Sequence, residues 1–191
     1  MSTQYTLRTP LVDRLGLEVQ MLRCQDRFAS HLRIVNELEH ILPILRSCEG
    51  DDLQSWPPSP AIQQLSRQEY GSGDFLAGVG MAGNSHWSLS VRALDTCNPT
   101  LEFDVACRVQ EAPTRLESVY EILDGIPTCE DGRVVIAVSD SRLVVTPCST
   151  EGVCDLTLEN NRVCVVAKQT NKSYPVTVRW TYQMSVVRSL D

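Results

Sequence analysis

Residues 71–108 read GSGDFLAGVGMAGNSHWSLSVRALDTCNPTLEFDVACR, and the chain divides around this stretch. Within it Trp87, Leu89, Val91 and Ala93 alternate with His86, Ser88, Ser90 and Arg92. After an Asn98-Pro99 turn, Leu101, Phe103, Val105, Cys107 and Val109 alternate with Glu102, Asp104, Ala106, Arg108 and Gln110. A period of two is the mark of a strand with one buried face and one wet face.

Downstream the same period recurs. Leu116, Ser118, Tyr120 and Ile122 alternate with Glu117, Val119 and Glu121; this segment also fits a short helix, but a strand fits better. Asp131-Gly132 opens RVVIAV, Ser139-Asp140-Ser141 turns the chain into RLVVTPC, and CDLTL follows. Asn160-Asn161 reads as a two-residue hairpin, because Asn tolerates positive φ. VCVVAK and a loop through Asn171-Lys172-Ser173 lead to the last strand. There Val176, Val178, Trp180, Tyr182, Met184 and Val186 oppose Thr177, Arg179, Thr181, Gln183 and Ser185. The total is about seven to nine strands joined by short connections, which require largely antiparallel pairing.

Upstream the pattern is read as helical. Thr9-Pro10 has the chemistry of a helix start. Leu11, Leu15, Val19 and Leu22 then recur at helical spacing, followed by Phe28, Leu32, Val35, Leu38, Ile41/Leu42 and Leu45. The pattern fits one helix or two, with Gln25-Asp26 as the place a join would fall, and Pro43 kinks or ends it. Residues 49–60 form a Pro-rich linker in which Trp56 folds back as an anchor. A short helix from Ser59 or Pro60 carries Ile62 and Leu65 and ends at Gly71. The expected fold is α+β: N-terminal helices (1–48), the linker, then residues 61–191 as a short helix and a strongly curled antiparallel sheet or barrel. All of it integrates into one domain.

Composition bounds the function. The 191 residues carry 17 Lys+Arg against 24 Asp+Glu, a net charge of -7. That balance argues against nucleic acid and anionic membranes as partners. The first ten residues hold no apolar core for a secretory signal, and no segment approaches the ~20 apolar residues of a membrane span. A cytoplasmic location is expected. The eight cysteines show no CxxC pair, so structural zinc is not expected, and in a reducing compartment they read as inert thiols. No cofactor is implied.

Three motifs are weighed for chemistry. Gly78 to Gly83 spells GxGxxG, but a strand follows where a dinucleotide site needs a helix. The glycines instead suggest a close approach of backbone to backbone. His86, Ser88 and Asp104 suggest a hydrolase triad, yet no GxSxG elbow is present. Cys107 and Arg108 are adjacent, so on a strand they point to opposite faces. The polar set is either a salt-bridge ladder on a wet face or the wall of a barrel lumen. His31 and His40 are nine apart and do not make a helical metal pair. No metal site is expected.

The leading expectation is a non-enzymatic binding module with a small-molecule pocket. Trp87, Tyr120, Trp180 and Tyr182 would give apolar contact, and His86, Ser88, Asp104 and Arg108 would give polar anchors. A homo-oligomer assembled through a helix over 26–45 is the alternative. An enzyme built around His86 with Asp104 or Cys107 is weaker.

Overall fold

A computed structural model describes residues 4–51, 53–70, 73–148, 153–168 and 173–189. The described residues hold fifteen strands and no helix. In chain order they are β1 (Gln4–Arg8), β2 (Leu15–Cys24), β3 (Arg27–Asn36), β4 (Ile41–Ser47), β5 (Gln64–Tyr70), β6 (Gly73–Ala82), β7 (Ser85–Leu94) and β8 (Thr100–Val109). The second half supplies β9 (Glu117–Ile122), β10 (Ile126–Glu130), β11 (Arg133–Val138), β12 (Ser141–Pro147), β13 (Cys154–Glu159), β14 (Arg162–Ala167) and β15 (Val176–Arg188).

They build two antiparallel sheets that pack as a sandwich. The first has the order β1-β2-β3-β4-β9-β14-β13 and the second β10-β11-β12-β15-β8-β7-β6-β5. The fold is therefore all-β, not α+β, and neither sheet closes into a barrel. Each half of the chain contributes to both sheets. Strands β1–β4 and β5–β8 form one half-sandwich, and β9–β15 form the other. The halves meet where β4 pairs β9 in the first sheet and β8 pairs β15 in the second.

The expected N-terminal helices are β2, β3 and β4. The reason is arithmetic. A spacing of four fits a helix, but it also fits a strand, where it is two steps of two. Leu15 and Val19 satisfy both readings, and Leu17 and Met21 complete the buried face of β2. Leu11, Leu38 and Ile41, which the helical face needs inside, are 46%, 68% and 46% exposed. Gln25-Asp26 is a two-residue hairpin between Cys24 and Arg27, with Gln25 at φ 55°. Asp13, Arg14 and Glu39 also take positive φ in the neighbouring turns. These turns are made without the glycine that usually announces them. Pro43 sits in β4 beside a register shift against β3, where the ladder is already interrupted. Self-association through a helix over 26–45 falls with the helix.

The short helix expected after Pro60 is also absent. Residues Ala61 and Ile62 are extended and buried, and β5 follows. Gly71, its expected end, lies outside the described residues. This extended segment ties the sheets together. Phe28 in the first sheet donates its N–H to the Ile62 carbonyl at 2.8 Å, and the Gln63 N–H reaches the Val79 carbonyl of the second at 3.0 Å. The Gln63 side-chain amide then pairs with the backbone of Met81 as a strand residue would, accepting at 2.9 Å and donating at 3.1 Å. Gly80 makes room for the segment: a Cβ there would lie 1.9 Å from the Ala61 carbonyl oxygen. The glycine motif is thus a backbone device.

The downstream reading fares better. The segment 117–122 is a strand, and Asn160-Asn161 form the expected hairpin with φ of 49° and 63°. The loop through Asn171-Lys172 lies outside the described residues.

Candidate functional site

Strands β7, β8 and β15 lie side by side in the second sheet, and their registers fix which side chains share a face. His86 is opposite Arg108, Ser88 opposite Ala106 and Ser90 opposite Asp104. Across the next pairing, Arg108 faces Thr177, Ala106 faces Arg179 and Asp104 faces Thr181. All of these point away from the sandwich, because their neighbours in sequence are buried: Trp87, Leu89, Val105, Cys107 and Trp180.

This outer face is concave. Its centre is small, with Ala77, Ser88, Ser90 and Ala106, and its margins are long, with Gln64 and Arg179. Three adjoining open depressions of about 590, 560 and 470 Å³ run along β7 and β8. The first is floored by Ala77, Val79, Ser88 and Ala106. The second lies between Met81, His86, Arg108 and Gln63. The third is polar, between Arg92, Glu102, Asp104 and Cys148. Together they form a trough about 20 Å long, the length of the strand from His86 to Arg92.

Charge is unevenly satisfied along it. Arg179 clamps Asp104 with two hydrogen bonds, 2.7 Å from Nε and 2.6 Å from Nη2, and the Thr181 hydroxyl adds a third at 3.3 Å. Arg92 Nε bonds Glu102 at 2.7 Å, and the Gln183 amide bonds the other Glu102 oxygen at 2.9 Å. At the opposite end the side chain of the exposed Arg108 makes no hydrogen bond or ion pair with any described residue, and neither does that of His86. Beside them Val79 is 53% and Met81 46% exposed, large apolar side chains left in contact with water.

The eight residues singled out from the sequence divide into two groups by the direction of their side chains. His86, Ser88, Asp104 and Arg108 belong to the trough. Trp87, Tyr120, Trp180 and Tyr182 are core residues between the sheets. There Trp87 packs edge-on against Trp180 with centroids 6.0 Å apart, and Tyr182 stacks on Phe103 at 5.2 Å. The Tyr120 and Tyr182 hydroxyls hydrogen-bond at 2.6 Å, and Trp180 Nε1 donates to Ser118 at 3.1 Å. Burial holds both phenols well above the ordinary tyrosine range.

The arrangement has little for acid–base or nucleophilic chemistry. Asp104 is taken by Arg179 and Thr181 and sits four residues of strand, about 13 Å, from the level of His86. Cys107 is in the core, where burial pushes its thiol up to about 12. Among the described residues no group of three His, Cys, Asp or Glu side chains is placed to hold a metal ion.

Sequence reasoning passed over Arg179, Gln64, Val79 and Met81. For Arg179 the signal was present, since it belongs to the polar set of the last strand. Glu49 was also passed over as a linker residue. It is largely buried at the start of the linker, and burial pushes its carboxyl up to about 7 against the opposing effects of a Ser47 hydrogen bond and the Arg27 charge. Its Oε2 has no hydrogen-bond partner among the described residues.

The fold and site thus define an open antiparallel β-sandwich with a polar trough on one outer face. Comparison with known protein families, curated proteins and solved structures finds no match.

Proposed function

We propose that this protein is a non-catalytic binding module whose ligand lies in the trough on the outer face of the second sheet. The observation that carries this reading is the difference among its arginines. Arg92 and Arg179 are satisfied by carboxylates, whereas the Arg108 side chain has no partner among the described residues and stands beside exposed Val79 and Met81. A cation next to an apolar floor favours a small molecule with an anionic head and an apolar body. The head takes charge-assisted hydrogen bonds from Arg108, with His86 beside it, and the body covers Val79 and Met81. Gln63 and Thr177 line the same depression and fix orientation.

The test is titration calorimetry with hexanoate and hexyl phosphate, with hexylammonium and acetate as controls. The two amphiphilic anions are expected to bind, and Arg108→Gln is expected to weaken them about tenfold or more. Binding of hexylammonium as tightly as hexanoate, or an unchanged affinity in Arg108→Gln, would refute the proposal.

A further inference from the structure

The linker between β4 and β5 makes a loop whose two ends close on one residue of β9. Where the chain enters the loop, the Cys48 N–H donates to the Val119 carbonyl at 2.9 Å. Where it leaves, the Val119 N–H donates to the Pro58 carbonyl at 3.0 Å, and the Ser59 hydroxyl donates to the Val119 carbonyl at 3.1 Å. Between these anchors the loop reaches the second sheet. A Cβ on Gly83, in the β6–β7 turn, would lie 2.9 Å from Ser55 Oγ, and the half-buried Trp56 packs on the core.

Glu49 stands just inside the neck. Ser47 Oγ donates to its Oε1, while Oε2 is buried without a hydrogen-bond partner among the described residues. The buried cation beside it is committed to another carboxylate. Arg27 Nε donates to Asp26 Oδ1 at 2.8 Å and Nη2 to Oδ2 at 3.3 Å, and Nη1 reaches the Glu49 backbone carbonyl at 3.3 Å. One guanidinium thus serves two acids, and its charge is balanced when Asp26 is ionised and Glu49 is not. Gly50 follows at φ 71°, where the chain turns without the restraint of a side chain.

We propose that the loop between Cys48 and Pro58 is a proton-controlled strap: it lies closed on both sheets while Glu49 is protonated, and its neck on Val119 opens when Glu49 ionises. Opening exchanges the backbone bonds of the neck for bonds to water, and the carboxylate gains the hydration that it lacks inside. The groups that face Glu49 are Ser47 of β4, Arg27 of β3, Asp26 in the turn before it, Tyr120 of β9 and Cys48 beside it. The hydrogen bonds from Arg27 hold the Asp26 carboxyl below its usual range, and burial keeps the proton on Tyr120 and on Cys48. Glu49 alone among them changes charge near neutrality, pushed by burial to about 7 against 4.5 in water. The closed strap holds this proton more tightly than the open one, so closure is strongest below 4.5 and is lost as pH rises through 7.

The test is hydrogen–deuterium exchange of the full-length protein, followed by nuclear magnetic resonance at the Cys48 and Val119 amides. Rates are measured at pH 5 and pH 8, without urea and in sub-denaturing urea, and corrected for intrinsic exchange. Protection of both amides is expected to fall about tenfold or more from pH 5 to pH 8. Their exchange is expected to be insensitive to urea, because a local opening exposes little surface. Amides of the β8–β15 ladder report global unfolding and are expected to accelerate with urea. Glu49→Gln keeps the shape of the protonated acid and is expected to retain its pH 5 protection at pH 8. The proposal is overturned if the two neck amides accelerate with urea in step with the ladder, which would mean that they open only when the whole protein unfolds. It is also overturned if protection is the same at both pH values, or if the loss persists in Glu49→Gln. Should that variant fail to fold, the pH and urea series on the wild type decides alone.

Discussion

The two places where the half-sandwiches join are built differently. In the second sheet β8 and β15 pair continuously, from Thr100 opposite Ser185 to Val109 opposite Val176. That seam has an aromatic inner face, Trp180 and Tyr182 against Val105 and Phe103, and a charged outer face, Arg179 and Gln183 against Asp104 and Glu102. In the first sheet β4 meets β9 over only Leu45–Ile122, Arg46–Glu121 and Ser47–Tyr120. The linker extends this short seam. The Cys48 N–H bonds the Val119 carbonyl at 2.9 Å, and the Val119 N–H bonds the Pro58 carbonyl at 3.0 Å. One seam is made by a regular ladder and packing, the other by irregular backbone and polar side chains. The Tyr120–Tyr182 hydroxyl pair joins them across the core.

The largest difference between the seams should appear on truncating a core side chain. Trp180→Ala removes the most deeply buried aromatic of the long seam and is expected to cost about 3–5 kcal/mol, read as the shift in a urea unfolding midpoint. Tyr120→Phe tests the link between the seams. It leaves the buried Tyr182 hydroxyl without this partner and is expected to cost about 1–3 kcal/mol. The double variant with Tyr182→Phe removes both ends, so it should cost less than the sum of the two single changes.

The short seam carries its own signature in pH. The Glu49 carboxyl, next to Ser47, ionises at about 7 in the fold against 4.5 when unfolded. The folded state therefore holds its proton more tightly, and stability is lost as pH rises from 4.5 through 7. Glu49→Gln removes that loss, so the variant should gain on the wild type by on the order of 1 kcal/mol between pH 5 and pH 8. His31, held below its usual range by burial and by Arg46 and Arg33, destabilises both proteins alike as pH falls and cancels in the difference. A flat difference across that range would show that Glu49 ionises normally. The smallest effect is expected on the outer face of the long seam. Asp104→Asn weakens the clamp from Arg179, and an exposed pair of this kind is worth about 0.2–1 kcal/mol in thermal or urea unfolding.

The same contrast explains which parts of the molecule were legible in the sequence. Strands β7, β8 and β15 alternate without interruption, so their two faces could be written down residue by residue. In β2 and β3 the alternation is broken. Gly16 and Val35 pack on the outer side, Glu18 is buried there under Arg8 and Arg33, and Ser30 takes an inward position. With buried residues on both faces, the leucines at spacing four gave a helical pattern. The edge strand β10 was missed because Ile126–Glu130 is almost wholly exposed and so carries no apolar period.

By itself the sequence determined the alternation of the long strands, the antiparallel pairing forced by short connections, and the separation of Trp87 and Cys107 from His86 and Arg108. These follow from local geometry, since neighbouring side chains on a strand point opposite ways whatever the rest of the chain does. Tertiary structure alone decided that the N-terminal third is strand and that the polar face of β7 and β8 looks outward. It also decided that Arg179 rather than His86 is the partner of Asp104. Each of these depends on which distant strand arrives alongside, and that is set by burying two sheet faces against each other, not by any period within one segment.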